Sequence, residues 1–217
     1  MSYKLIVAFF ICCMGYSQSD KRAYGLSNNG QTTKALFFSF GQNFTTYLYR
    51  NSLDQNATGL KSSNGLVLEV GKRFKAIEIA GLPAHLGTSI SLNQYNNLGG
   101  DGQNNYTWDT NFLGLNIDMQ QEIGLGAFNF FYALGTGFNK IIFGTQTLNG
   151  TALNLVNNDD FKSVFLRPFV SVGPKWNGQS TDIAFLLAVA HDFALQSNNS
   201  ERLNFSNIQL KIRLWIK

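Results

Sequence analysis

Residues 207–216 read Asn-Ile-Gln-Leu-Lys-Ile-Arg-Leu-Trp-Ile. Ile208, Leu210, Ile212, Leu214 and Ile216 fall on every second position, and Gln209, Lys211, Arg213 and Trp215 fill the gaps. A period of two is the side-chain period of a β-strand. One face of this strand carries no charge, whereas the other carries two cations. Its length suits a strand that crosses a bilayer at a tilt, which takes about 9–11 residues.

The same period recurs through the chain. Leu36, Phe38 and Phe40 open a strand that runs to Arg50. Leu66, Leu68 and Val70 mark a second strand, and Leu86, Thr88, Ile90 and Leu92 a third. Leu113 to Met119, Phe128 to Leu134, Val164 to Val172 and Ile183 to Val189 supply four more, each apolar on alternate residues. With the C-terminal strand this makes eight. From the second strand onward, none of these apolar positions is charged. A charge facing lipid costs about 2–4 kcal/mol at the bilayer midplane, so a lipid-facing surface accounts for the pattern.

The connections alternate in length. Long ones rich in Asn, Gly, Ser and Gln fall at 51–64, 94–105, 146–160 and 196–204, and short ones at 72–76, 121–126 and 177–181. This order predicts an all-β fold, an eight-stranded antiparallel up-and-down transmembrane β-barrel with short turns at one end and long loops at the other. No stretch is long and apolar enough for a membrane-spanning helix, and isolated strands cannot satisfy their backbone groups in lipid, so the strands must close.

Lys4 followed by the nine apolar residues 5–13, then Gly15, Tyr16 and Ser17, reads as a secretory signal peptide over residues 1–17. Residues 18–34 are expected to form a periplasmic N-terminal extension and residues 35–217 the barrel. Both cysteines, Cys12 and Cys13, fall in the leader. That excludes a disulfide scaffold or a catalytic cysteine from the exported portion.

Composition agrees with a lipid-facing chain. Charged residues are 14% of the sequence, against about 25% in soluble proteins, while Phe alone numbers 19. The cations are scattered, which speaks against nucleic acid as a partner.

The face opposite the apolar one is expected to carry Glu69, Glu78, Asp118 and Asp192 against Arg167, Lys211 and Arg213. An eight-stranded barrel is only wide enough for side chains to fill it. These groups should therefore pair into a structural charge network that plugs the lumen. Glu78 and His85 can both face inward only if a bulge near residues 81–83 shifts the frame. The seventh strand is apolar on both faces, because Ala184, Leu186, Ala188 and Ala190 oppose Ile183 to Val189, and its frame stays open.

The strand Arg167-Pro168-Phe169-Val170, the strand end Leu92-Asn93-Gln94-Tyr95-Asn96 and the alternating segment 208–216 resemble the small outer-membrane β-barrel family. These are the OmpX, OmpA-barrel and OmpW types and the PorT-like "outer membrane protein beta-barrel domain" chains. The resemblance covers residues 35–217. It implies a porin-like barrel in the Gram-negative cell outer membrane, with outer-membrane lipid and the barrel assembly machinery as partners. Such barrels usually end in an aromatic residue, whereas here Trp215 precedes Ile216 and Lys217.

No catalytic, cofactor or metal motif stands out. His191-Asp192 with Ser197 nearby suggests a hydrolase of lipid A acyl chains. Adjacent strand residues point to opposite faces, however, so Asp192 cannot readily orient His191. His85 with Glu69 or Glu78 lacks the spacing of a metal site. The expectation is a non-enzymatic barrel, structural or presenting its loops to a partner, with Tyr95, Tyr106 and Trp108 as candidate contacts. The alternative is a soluble secreted lipocalin-like barrel with an apolar ligand inside, which requires the two faces to be inverted. A small channel is a further alternative.

Overall fold

The computed structural model describes residues 35–50, 59–79, 82–100, 105–125, 128–195 and 202–216. The leader and extension expected over residues 1–34 lie outside the described residues, as do residues 51–58, 101–104 and 196–201 of the expected long connections.

Nine strands form in chain order: β1 (Ala35–Arg50), β2 (Lys61–Ile79), β3 (Leu82–Gly100), β4 (Asn105–Leu125), β5 (Phe128–Leu148), β6 (Thr151–Asn154), β7 (Val164–Asn177), β8 (Thr181–Ala194) and β9 (Arg202–Ile216). All neighbours are antiparallel, and β1 pairs with both β2 and β9. The β4–β5 pairing joins the two halves of the sheet, so eight strands close into a ring. The short β6 is a ninth strand hung on β5 beyond the barrel rim.

The apolar sets face outward, including Leu68, Val70, Ile90, Leu115, Ile117, Leu134, Phe185, Leu187, Leu210 and Ile216, all exposed. In the seventh barrel strand, β8, Ala184, Leu186, Ala188 and Ala190 are buried while Ile183, Phe185, Leu187 and Val189 are exposed, which settles the open frame. The charged face lines the lumen. This is the reverse of what a soluble barrel with an apolar ligand needs. A continuous apolar exterior on a closed barrel is a lipid-facing surface.

The third strand needs a different correction from the one expected. The extra residue lies in β2, where the register slips between Arg73 and Ala76, not at 81–83. β2 runs to Ile79 and β3 begins at Leu82, so the polar stretch at 72–76 is strand. Lys72 is exposed at the edge of the belt and Arg73 is buried in the lumen. Their charges follow the pleat and do not mark a turn. Glu78 pairs with Pro83 at the turn end and is exposed, so it is not part of the lumen network.

The long connections are also more ordered than their polar composition suggests. Residues 94–100 pair with 105–111, extending the β3–β4 hairpin past the rim. Residues 145–148 pair with 151–154 through Asn149-Gly150, both at positive φ. Asn-Gly is the favoured pair for a two-residue type I′ hairpin turn. One extra residue in β5, at Ile142, then sends Phe143 outward.

Leu187 sits within the belt of β8. Leu187→Arg is expected to destabilise the barrel by about 2–4 kcal/mol, read as a lower urea midpoint in lipid vesicles. An unchanged midpoint would contradict a lipid-facing position.

Candidate functional site

The lumen is a stack of side-chain layers. At the turn end, Glu122 on β4 accepts from Lys175 Nζ at 2.7 Å and from Arg73 at 2.6 Å. Lys175 also contacts Asp182 at 3.0 Å. Above them Lys175 Nζ lies 4.9 Å from the Trp215 ring, and Trp215 packs on Phe131 at 5.3 Å. Trp215 is thus a buried lumen residue, because it falls in the inward frame of Lys211 and Arg213.

At mid-height Glu69 accepts from Arg213 at 2.8 Å, from Lys211 at 3.2 Å and from the Ser89 hydroxyl at 2.8 Å. Arg213 Nε donates to Ser39 at 2.8 Å, and its guanidinium stacks 4.2 Å from the Phe37 ring. Asp118 lies 3.8 Å from Arg213 Nη1 and accepts from Gln120. Further up, Asp192 accepts from Asn139 and Asn207 at 2.5 Å each and from the Tyr95 hydroxyl at 3.3 Å. Arg167 stands 3.9 Å away and donates to Asn93.

An aromatic cluster closes the loop end. Phe205 is at its centre, with Tyr47 at 4.8 Å, Phe165 at 4.9 Å, Tyr95 at 5.3 Å and Phe112 at 5.4 Å. The Tyr47 hydroxyl donates to the Tyr95 carbonyl at 2.9 Å. Residues 155–163 return from β6 to β7 through turns and contribute buried Leu155 and Phe161 to the same cluster. The loop chain itself therefore forms part of the cap.

Glu69, Asp118, Asp192, Arg167, Lys211 and Arg213 all stand in this column. Glu78 does not. Arg73, Glu122, Lys175 and Asp182 were missed. Their parity offered the signal: Arg73 continues the inward frame of Glu69, Glu122 that of Asp118, and Lys175 that of Arg167. The described lumen ion pairs join five cations to five anions, so the column is electrically balanced. Neutrality matters because an uncompensated buried charge is costly.

The chemical candidates are placed as follows. Asp192 is fully buried in the lumen, whereas His191 is half-exposed on the outer face. His191 Nδ1 lies 2.9 Å from the Ser206 hydroxyl and its ring packs on Phe193. Among the described residues no carboxylate forms an ion pair or hydrogen bond with His191, and Ser197 lies outside them. His85 Nδ1 lies 3.3 Å from the Phe74 carbonyl. Among the described residues no three His, Cys, Asp or Glu side chains gather as a metal site would need.

No family model matches the chain, and no curated protein matches it. Solved structures that resemble it are barrels. Neisserial surface protein A is 11% identical, covering 83% of this chain and 96% of that one, with a TM-score of 0.44. OprG from Pseudomonas aeruginosa is 10% identical, covering 86% and 97%, with a TM-score of 0.47. The outer membrane enzyme PagL is 12% identical, covering 79% and 97%, with a TM-score of 0.38. None of these likenesses supplies an argument for role. Fold and surface rest on this chain's own register and burial.

Glu69→Gln leaves Arg213 and Lys211 short of their counter-charge, and the expected loss is about 3–5 kcal/mol. Glu78→Gln at the exposed turn end should change stability by under about 0.5 kcal/mol. Urea unfolding of both variants in vesicles checks the contrast, and equal effects would contradict the placement of the two acids.

Proposed function

We propose that this chain is a sealed outer-membrane barrel that performs no chemistry of its own and presents its loop end to a partner. The observation that carries the reading is the filled lumen. Balanced ion pairs occupy its length and an aromatic cluster, completed by Leu155 and Phe161, closes the loop end. A column with that filling supports a rigid scaffold better than a conduit.

The apolar belt favours residence among membrane lipids, and the closed strand topology favours the outer membrane and its barrel assembly machinery. The working surface lies beyond the rim, on the β3–β4 and β5–β6 hairpins. Tyr106 and Trp108 lie half-buried on the inner face there with centroids 5.7 Å apart, Trp108 resting on Tyr47 of the cap, and Leu98, Phe143 and Leu153 are exposed nearby. Tyr95 does not belong to this surface, since it is wholly buried in the cap. Half-buried rings beside exposed apolar side chains on a rigid sheet provide the kind of contact that concentrates binding energy.

The reading is tested by conductance in planar bilayers. Purified, folded protein is expected to give no stable current steps. Reproducible ohmic steps from the unmodified chain would overturn the sealed-barrel reading in favour of a small channel.

A further inference from the structure

Between Leu36 and Phe44 the outer face of β1 contains one polar residue, an amide that lipid does not suit. Gln42 stands midway along it, six residues from Leu36 and six from Leu48, with Phe40 and Phe44 as its nearest outward neighbours on the strand. Its paired neighbours are Leu66 on β2 and Leu210 on β9, both exposed apolar residues. Gln42 is itself exposed, and among the described residues its amide makes no hydrogen bond. An amide both donates and accepts, and lipid chains can do neither.

The belt is also recessed beside it. A concavity of about 630 Å³ is lined by Phe40, Gln42, Pro174, Phe185, Leu187 and Leu210, among others. Glycines flank it. A Cβ on Gly41 would overlap the Leu210 carbonyl, and one on Gly173 the Phe185 carbonyl. The β7–β8 ladder is interrupted between Val172 and Lys175, where Pro174 has no N–H to offer. The Phe38–Phe40 ring pair, 5.9 Å between centroids, forms a ridge at the edge of the recess.

We propose that this face docks a second copy of the chain, with the two Gln42 amides exchanging hydrogen bonds across a two-fold axis. In an isologous contact a residue on the axis meets its own copy. An amide is self-complementary in that position, whereas a lysine or a glutamate would repel itself. Ridge and recess on one face give each copy something to insert and something to receive. The belt of β5, across the ring, presents exposed Leu134 and Phe138 and no amide. The inference rests on the belt facing lipid, as in the proposed function.

The test uses the full chain in its native membrane, with single cysteines introduced at Leu66, at Leu210 and, as control, at Leu134. A short bifunctional thiol crosslinker is then added. Dimers from Leu66→Cys or Leu210→Cys are expected to exceed those from Leu134→Cys at least tenfold, and to fall to the control level when Gln42→Leu is added. Equal crosslinking at all three positions, or dimers that survive Gln42→Leu, would overturn the proposal. A heat-dependent gel shift, run on every variant, shows that each is folded. Its loss from the parent chain would overturn the membrane reading, separately from the dimer.

Discussion

An eight-stranded ring leaves a lumen just wide enough for side chains, and any charge placed there must find its counter-charge within that column. The rest of the structure depends on this constraint. Lipid outside forbids unpaired backbone groups, so the sheet must close. Closure fixes a narrow interior. The residues that alternate with the lipid-facing ones then have to fill that interior completely. Glu69 shows the outcome, holding Arg213, Lys211 and Ser89 at once. The layers above and below repeat the arrangement around Asp192 and Glu122.

The column changes character along its length. Ion pairs occupy the turn end and the middle, amides surround Asp192, and aromatic rings close the loop end. The last layer differs because the chain beyond the rim helps to build it. Leu155 and Phe161 come from an irregular return segment, and Tyr47, Phe165 and Phe205 from strand positions that would otherwise line a mouth. The protruding hairpins stand on this base. The β5–β6 hairpin and the Leu155, Phe161 and Phe165 part of the cap thus arise from the same run of chain, residues 143–165.

The strand period made the fold legible, since each apolar set kept its face from Leu36 to Ile216. The site was legible only where the frame was followed without interruption. Arg73, Lys175 and Asp182 were passed over because polar residues near a strand end resemble turn chemistry until their parity is counted. Glu78 is misplaced because it pairs with Pro83 at the end of β2, where even the inward frame leaves a side chain exposed, and neither composition nor period locates the one-residue slip before it. Tyr95 reads as a surface contact because it falls in the polar stretch 94–105, between Gln94 and Asn96. In the pleat those neighbours face outward and Tyr95 faces the cap. The buried cluster of Leu155 and Phe161 follows from a tertiary return that strand periodicity does not encode.

The central claim is a closed barrel with lipid outside and a packed, balanced lumen. Heat-modifiable migration on a gel, using a detergent extract of isolated outer membranes, tests it most directly. A band that migrates differently in unboiled and boiled samples, found in the membrane fraction, is the predicted result. The same mobility in both samples, with the protein recovered from the soluble fraction, would contradict it.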